Sequence, residues 1–564
     1  MKKQLITSAL PYVNGLPHLG HLVGCLLPAD VFARYQRQKG EDVLFICGTD
    51  EHGTPSEVGA SKENMPVDAY CKKYHDQHVK MYQGFNLSFD YFGRTSSDQN
   101  KEMTYRIFHA LDKNGLIEER NTKQVYSPDD GRYLPDSYVL GTCPHCGYDK
   151  AKGDQCENCT KILDPTDLIN PRSALSGSDK IEIRETKHLF LNLPKVEEEL
   201  KQWIETKKGI WPDIAYSVAK KWLKEGLQSR GITRDLKWGF SVPKEGFEDK
   251  VFYVWFDAPI GYIGITKQWA DENPAERNWE SWWLNPENVQ YTEFMGKDNI
   301  PFHTISFPAT LRGTKEPWTT VSFLKGMNYL NFAGGKFSKS SHRGIFMDDA
   351  LIEFPADYWR YWLMANAPES DDTSFTFDYF AMVINKDLND VLGNFINRVM
   401  KMTEKNFGCV VPPKGTVTDA EKELYASLDG LIAEYTKYMD ALEFRKAMAV
   451  LREIWVSGNN YIAKTEPWKV VKENKEYAGT ILNTAWNMVY LFADLMAPIM
   501  PETSGKIKNI LNAETNVVWP TESAETLLNR IEENRAFNVS EPLFQKILPE
   551  KIEELKIKYK ETEG

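Results

Sequence analysis

Lys3-Gln4-Leu5-Ile6-Thr7-Ser8-Ala9, then Leu10-Pro11-Tyr12-Val13-Asn14-Gly15-Leu16-Pro17, then His18-Leu19-Gly20-His21, is the stretch on which the fold turns. Residues 3–9 read as a buried strand. Pro11, Asn14, Gly15 and Pro17 supply a turn. A helix is expected from about His18 to Gln38, closed by Lys39-Gly40, and Asp42–Cys47 reads as a second strand. Strand, glycine-bearing turn, helix, strand is one βαβ unit. The first expectation is therefore a nucleotide-binding α/β domain.

The start of that helix carries chemistry. Free backbone N–H groups and the helix dipole favour anions there. Gly20 lets a nucleotide approach the backbone. His18 and His21 stand three apart, share one helix face, and can each donate toward phosphate oxygens. A second segment, Gly334-Gly335-Lys336-Phe337-Ser338-Lys339-Ser340-Ser341, is a Gly/Ser-rich loop with two lysines. Such cations can neutralise charge on a departing pyrophosphate. Taken singly, the first motif also fits two capping or core histidines, and the second fits a solvated loop.

Between the two motifs the texture changes twice. Short segments and turns begin near residue 117. They contain Cys143-x-x-Cys146, nine intervening residues, and Cys156-x-x-Cys159. Two Cys-x-x-Cys turns present four thiolates to one ion, and a closed tetrahedral set is the pattern of structural zinc. The other cysteines, at 25, 47, 71 and 409, are scattered, which excludes a secreted disulfide framework. Near residue 250 the α/β texture returns. Val251–Phe256, Val289–Met295 and Val321–Leu324 read as strands. After about residue 380 the apolar residues fall at helical spacing: Leu388, Val391, Leu392, Phe395, Val399 and Met402 in one run, Leu442, Ala447, Met448, Leu451 and Trp455 in another.

Composition narrows the class. The chain has 564 residues, 42% hydrophobic and 26% charged, and a net charge of −12. It is long enough for several domains. The acidic balance argues against a non-specific nucleic-acid coat but leaves room for a local basic site. No stretch of about 18 apolar residues is present, and the N-terminus lacks a signal-peptide core. A cytoplasmic chain with no membrane association is expected.

The two motifs, in this order, resemble the ATP-handling signatures of class I aminoacyl-tRNA synthetases. Leu10–Gly15 before the histidines, Phe45-Ile46-Cys47-Gly48-Thr49-Asp50-Glu51-His52-Gly53-Thr54, Tyr253–Tyr262, Gly296-Lys297-Asp298 and Arg234-Asp235 with Trp238-Gly239 are similar to the methionyl-tRNA synthetases. The departures are Leu19 for a common isoleucine and Phe337 for a common methionine. The family carries one or two four-cysteine knuckles; this chain has one.

The resemblance implies a Rossmann-like parallel-sheet catalytic domain split by a zinc-binding insertion, followed by an α-helical anticodon-binding bundle. Its expected divisions are 1–116 and 231–324 for the two catalytic halves, 117–230 for the insertion, 325–380 for the lysine-loop region, 381–550 for the bundle and 551–564 for a charged tail. It implies ATP-dependent joining of L-methionine to tRNA(Met), initiator tRNA included, through methionyl-adenylate. His18, His21, Lys336 and Lys339 are the expected catalytic residues. ATP falls to His18, Gly20, His21, Gly296, Asp298 and Lys339. Methionine falls to Leu10, Tyr12, Asp50, Trp255, Ala258, Pro259, Tyr262 and His303. Asn394, Arg398 and Trp468 are expected at the anticodon, Cys143, Cys146, Cys156 and Cys159 at one structural Zn2+, and Mg2+ with ATP. A monomer is expected.

Other readings are weaker. The leucine, isoleucine and valine enzymes need a far larger editing insertion. A cysteine enzyme would carry zinc ligands in its amino-acid site. A small-molecule adenylyltransferase shares the His-x-Gly-His tetrad but needs no helical domain of this size. A catalytically dead tRNA binder has no use for His18, His21, Lys336 and Lys339.

Overall fold

A computed structural model describes residues 2–135, 138–153, 156, 158–159, 163–337 and 343–561. Five strands form one parallel sheet: β1 (Lys3–Ser8), β2 (Asp42–Thr49), β3 (Tyr91–Arg94), β4 (Val289–Gly296) and β5 (Phe323–Met327). Their order is β5-β4-β1-β2-β3, so the winding reverses between β1 and β4. In such sheets the crevice beyond the carboxyl ends at the reversal is where ligands bind. Successive side chains alternate between the two faces. Ile6, Phe45 and Cys47 enter one core; Leu5, Leu44 and Ile46 enter the other.

The expected helix is present, with an irregularity that its sequence explains. Leu19–His21 and α1 (Leu27–Gln38) are α-helical, and Leu22–Leu26 between them is a π turn. Pro28 has no N–H to give Gly24, and the Leu27 N–H reaches back five residues to Leu22. The same device follows β4. Phe302–Ser306 is a π turn, the Phe307 N–H reaches Phe302, and Pro308 follows. Both widened turns contribute to one cavity, Gly24, Cys25 and Leu26 from the first and Phe302 and His303 from the second.

The segment between β3 and β4 holds an antiparallel sheet built on Ile117–Ser127 and Glu182–Leu191, and a smaller one built on Val139–Thr142, Ala151–Lys152 and Ile169–Ser173. The parallel sheet is therefore split by an insertion, as the fold reading expects. One strand expectation fails. Only Val251–Phe252 is extended, paired with Thr233–Arg234, and α2 (Val254–Asp271) begins two residues later. The β-branched and aromatic residues of 251–256 suit a strand. Burial of α2 against Asp98–Lys113 and the sheet overrides that preference. The strand expected at 321–324 lies at Phe323–Met327.

Beyond the sheet the chain is helical. Asn394–Phe407, Asp419–Asp440, Phe444–Thr465 and Lys475–Met496 pack together, the last buried on nearly all sides. The charged tail expected at 551–564 is mostly a docked helix, Pro549–Lys558. Its Leu555 and the following Tyr559 are buried, and Lys551 and Lys558 close on Glu353 at 2.8 and 2.6 Å. Its apolar residues four apart form an anchoring face that the charge-rich composition hides. Among the described residues no helix is long and apolar enough to cross a membrane.

Candidate active site

A cavity of about 430 Å³ opens at the carboxyl ends of β1 and β4. The loop after β1 supplies Leu10 and Tyr12, and Asp50 follows β2. A parallel bridge between Tyr12 and Asp50, with Asp50 N–H on the Pro11 carbonyl at 2.9 Å, carries the sheet pairing past the strand ends. The first turns of α2 supply Trp255, Ala258, Pro259 and Tyr262, and the second π turn supplies Phe302 and His303. Trp255 and Tyr12 are 47% and 42% exposed, so they form walls of the cavity rather than core.

Asp50 sets the electrostatics of this end. It is buried, and its Oδ1 has no hydrogen-bond partner. Burial, with the neighbouring carboxyls of Asp257 and Glu51 adding to it, holds the Asp50 carboxyl well above the usual carboxylate range. The neighbours are themselves engaged. Asp257 meets His52 Nδ1 at 2.5 Å, and Glu51 accepts from Arg94 Nε and Thr49 Oγ1, both at 2.8 Å. A cation arriving in the cavity would relieve Asp50. His303 is opposite in kind: burial pushes it down to about 4, so its ring is neutral. Its Nδ1–H donates to the Asn299 carbonyl (2.9 Å), which leaves Nε2 to accept from the Tyr262 hydroxyl (2.9 Å).

The other end is built on the helix start. His18 Nδ1 accepts the Gly20 N–H at 3.0 Å, and His21 Nδ1 accepts the His18 N–H at 3.1 Å, a capping box made of two histidines. Each neutral ring then carries its proton on Nε2, the atom able to donate. A Cβ on Gly20 would lie 2.8 Å from the His18 ring, so this glycine makes room for His18 itself. Gly296 faces open space, and the Asp298 carboxylate accepts the Tyr329 hydroxyl.

The lysine loop begins on this end. Phe337 stacks on His18, 4.4 Å between ring centroids and 3° from parallel. A Cβ on Gly344, at φ 98°, would strike the Phe337 ring at 2.5 Å. Arg343 staples the base of the loop by donating to the carbonyls of Lys336 (3.0 Å) and Ala333 (3.3 Å). Lys336 is exposed and is not among the cavity walls. Lys339 lies outside the described residues.

The four cysteines of the insertion converge, their sulfurs all within 4.8 Å of one another. The cross-turn pairs Cys143–Cys159 and Cys146–Cys156 are 3.8 and 3.6 Å apart. That is far beyond a disulfide and near the edge of about 3.8 Å expected for four sulfurs around one tetrahedral ion. Gly147 turns at φ 75°. The Tyr148 backbone and the Asn158 amide pull the Cys146 thiol down to about 6. The set fits a structural metal, and its chemistry fits zinc. In the helical part, the Arg398 guanidinium lies 5.4 Å over the Trp468 ring, and Asn394 is exposed one turn before Arg398.

The family described as tRNA synthetases class I (M) matches residues 4–400, and the anticodon binding domain of methionyl tRNA ligase matches 411–564. The methionine–tRNA ligase of Streptomyces avermitilis is 52% identical over 569 residues, covering 99% of each chain. Methionine–tRNA ligase 1 of Acaryochloris marina is 50% identical, again over 99% of each. The chain belongs to the methionine–tRNA ligase family. Its fold is also that of Mycobacterium tuberculosis methionyl-tRNA synthetase solved with methionyl-adenylate, with a TM-score of 0.77 and 24% identity over 96% of this chain and all of that one.

Against that family, two features of the site escape the sequence reading. In sequence Phe337 is only a departure from a common methionine; the structure makes it the ring that joins the two signatures. His52 stands inside a family-like motif without a role, and it is the buried partner of Asp257, sealed by the edges of Trp238 and Phe240. No local signal marks either. Each depends on a residue at least 200 positions away.

Proposed function

We propose that this chain joins L-methionine to tRNA(Met), initiator tRNA included, through methionyl-adenylate, releasing pyrophosphate and then AMP. The observation that carries it is the buried, uncompensated Asp50 at the apolar end of a cavity whose other end is a histidine-capped helix start. The methionine ammonium pairs with Asp50. Its thioether packs among Leu10, Tyr12, Trp255, Ala258, Pro259 and Tyr262, surfaces suited to a soft, polarizable sulfur. Neutral His303 adds no charge there, which disfavours a cationic or anionic side chain in the substrate.

Bound this way, the substrate carboxylate faces the nucleotide end and attacks the α-phosphorus of ATP. His18 and His21 donate from Nε2 to the phosphates, Gly20 keeps His18 folded over the helix start, and Gly296 and Asp298 take the ribose. Lys336 and Lys339 stabilise the departing pyrophosphate, and Mg2+ accompanies ATP. The terminal adenosine of the tRNA then attacks the activated carbonyl. Asn394, Arg398 and Trp468 read a CAU anticodon, with Trp468 as a stacking plane and Arg398 as a donor fork. The four-cysteine set holds one structural Zn2+. The protein works as a cytoplasmic monomer.

Methionine-dependent exchange of pyrophosphate into ATP tests the reading. Exchange is expected with methionine and not with leucine or cysteine, and its absence with every amino acid would sink it. Asp50→Asn should raise the KM for methionine by about 100-fold or more, the scale set by removing one partner of a buried ion pair. The KM for ATP should change far less; equal effects on both would remove Asp50 from its assigned place.

A further inference from the structure

The strand that returns the chain from the insertion to the parallel sheet carries an arginine that spends none of its donors. Arg230 begins the short strand Arg230–Gly231, paired to Phe190–Leu191. Among the described residues its guanidinium makes no ion pair, and no hydrogen bond leaves it. It is held instead by three rings: Trp222 at 4.8 Å, Phe302 at 5.7 Å and Trp255 at 5.9 Å. A structural arginine looks different in this same chain: Arg360 is fully buried and donates to Asp30 and to backbone carbonyls. Four residues on, Arg234 lies 3.7 Å over the Tyr253 ring and, among the described residues, donates to the Thr233 carbonyl beside it and to no carboxylate. Asp235 does not neutralise either arginine, because it is occupied by Lys250 at 2.5 Å and His188 at 2.9 Å.

Position decides which anion this fork meets. Trp255 and Phe302 are walls of the cavity at its Asp50 end, and Arg230 stacks behind them. His18, His21 and Asp298, where a nucleotide is expected, face into the cavity itself, whereas Arg230 is not among its walls. Trp222 belongs to the insertion helix Asp213–Glu225 and is only partly buried. The site therefore combines a planar, ring-held guanidinium with a partly open indole face at the junction of insertion and cavity. Phosphodiester contact plus base stacking is how single-stranded nucleic acid is gripped. In a chain of net charge −12, an unneutralised arginine pair is also a local exception that would steer a polyanion.

We propose that Arg230 binds a backbone phosphate of the single-stranded 3′ end of the tRNA as it enters the cavity, with Trp222 offering a stacking face. The contact rests on the tRNA-charging reading above. Arg230→Gln keeps the stem and removes the charge; Arg230→Lys keeps the charge and removes the fork. In the full chain, methionine-dependent pyrophosphate exchange, which needs no tRNA, should stay within about two-fold for both variants. Aminoacylation should show a KM for tRNA raised about ten-fold in R230Q, the scale of one charge-assisted hydrogen bond, and raised less in R230K. The salt slope of kcat/KM for tRNA should flatten by about 0.7 in R230Q, one single-strand phosphate contact. Exchange falling in step with aminoacylation would overturn the proposal, since Arg230 would then only prop the Trp255–Phe302 wall. Unchanged KM and salt slope would overturn it as well. Loss of exchange in the unsubstituted chain would instead take down the activity reading, and this contact with it.

Discussion

Glu293 and Asp50 are both buried carboxyls with no cation beside them, yet they are different kinds of residue. Asp50 lines the cavity, where a ligand cation can reach it. Glu293 sits on β4 between β1 and β5, is buried, and is not among the cavity walls. The titratable groups that act on it are the tyrosines Tyr291 and Tyr262, and neither is a cation. Burial pushes its carboxyl up to about 8, so at neutral pH it holds its proton. Between the unfolded value of about 4.3 and this folded value, the native state binds a proton that the unfolded state lacks. Stability therefore falls as pH rises, by up to about 1.4 kcal/mol per unit. Glu293→Gln should remove that dependence. Its melting temperature relative to the unsubstituted chain should climb from about pH 5 to about pH 8 and then level off; a flat difference would show that Glu293 is not proton-bearing in the fold. The sequence offers Asp50 inside a recognisable motif and leaves Glu293 silent, since burial without a partner is a property of the surroundings alone.

Elements are where the sequence reading succeeds and fails for identifiable reasons. β1, β2 and β4 are legible because each carries adjacent apolar residues for both faces, Leu5–Ile6, Leu44–Cys47 and Phe294–Met295. The start of α2 is not, because Val251–Phe256 has the same composition and only packing distinguishes a helix from a strand there. The π turns before Pro28 and Pro308 escape it because a proline in the first turn of a helix is normally harmless; here each falls beyond the first turn. The cysteine spacing is legible outright, and a metal held by that set carries an element-scale consequence. The core around it is small: Val125, Leu134, Val139, Ala151, Leu163 and Leu168, together with the thiols Cys143 and Cys156. So small a cluster cannot hold its strands without the cross-link. A strong chelator should release about one zinc per chain. Amide protection should then be lost in the strands Val139–Thr142, Ala151–Lys152 and Ile169–Ser173 and kept in β1 to β5. Protection retained in those three strands after metal loss would mean that the thiols do not organise the insertion.

At the scale of the whole molecule, one buried side chain stands at the junction of sheet and bundle. Sequence periodicity separates the sheet from the bundle near residue 380, since each helix shows an apolar face but not the surface that covers it. The structure joins them in one continuous core running from Ile6 and Phe45 to Trp455 and Trp486. Arg360, on Ala356–Ala365, lies at the junction. It donates to Asp30 on α1 (2.6 Å), to the Phe85 carbonyl (3.0 Å), and to the carbonyls of Pro498 (2.8 Å) and Ile499 (2.7 Å) at the end of the bundle's central helix. Tyr35 on Asp440 (2.7 Å) and the Trp519 N–H on the Gln38 carbonyl (2.9 Å) tie the same surfaces nearby. Arg360→Met fills similar space but leaves three buried carbonyls without donors, while Asp30 keeps Arg34 and Ser88. The expected loss is about 3–5 kcal/mol, the cost of breaking a buried charge network from one side. Because the junction belongs to both parts, amide protection in β1 to β5 and in Lys475–Met496 should fall together in R360M. A bundle that loosens while the sheet keeps its protection would show that the two cores fold independently and that the arginine merely fills the seam.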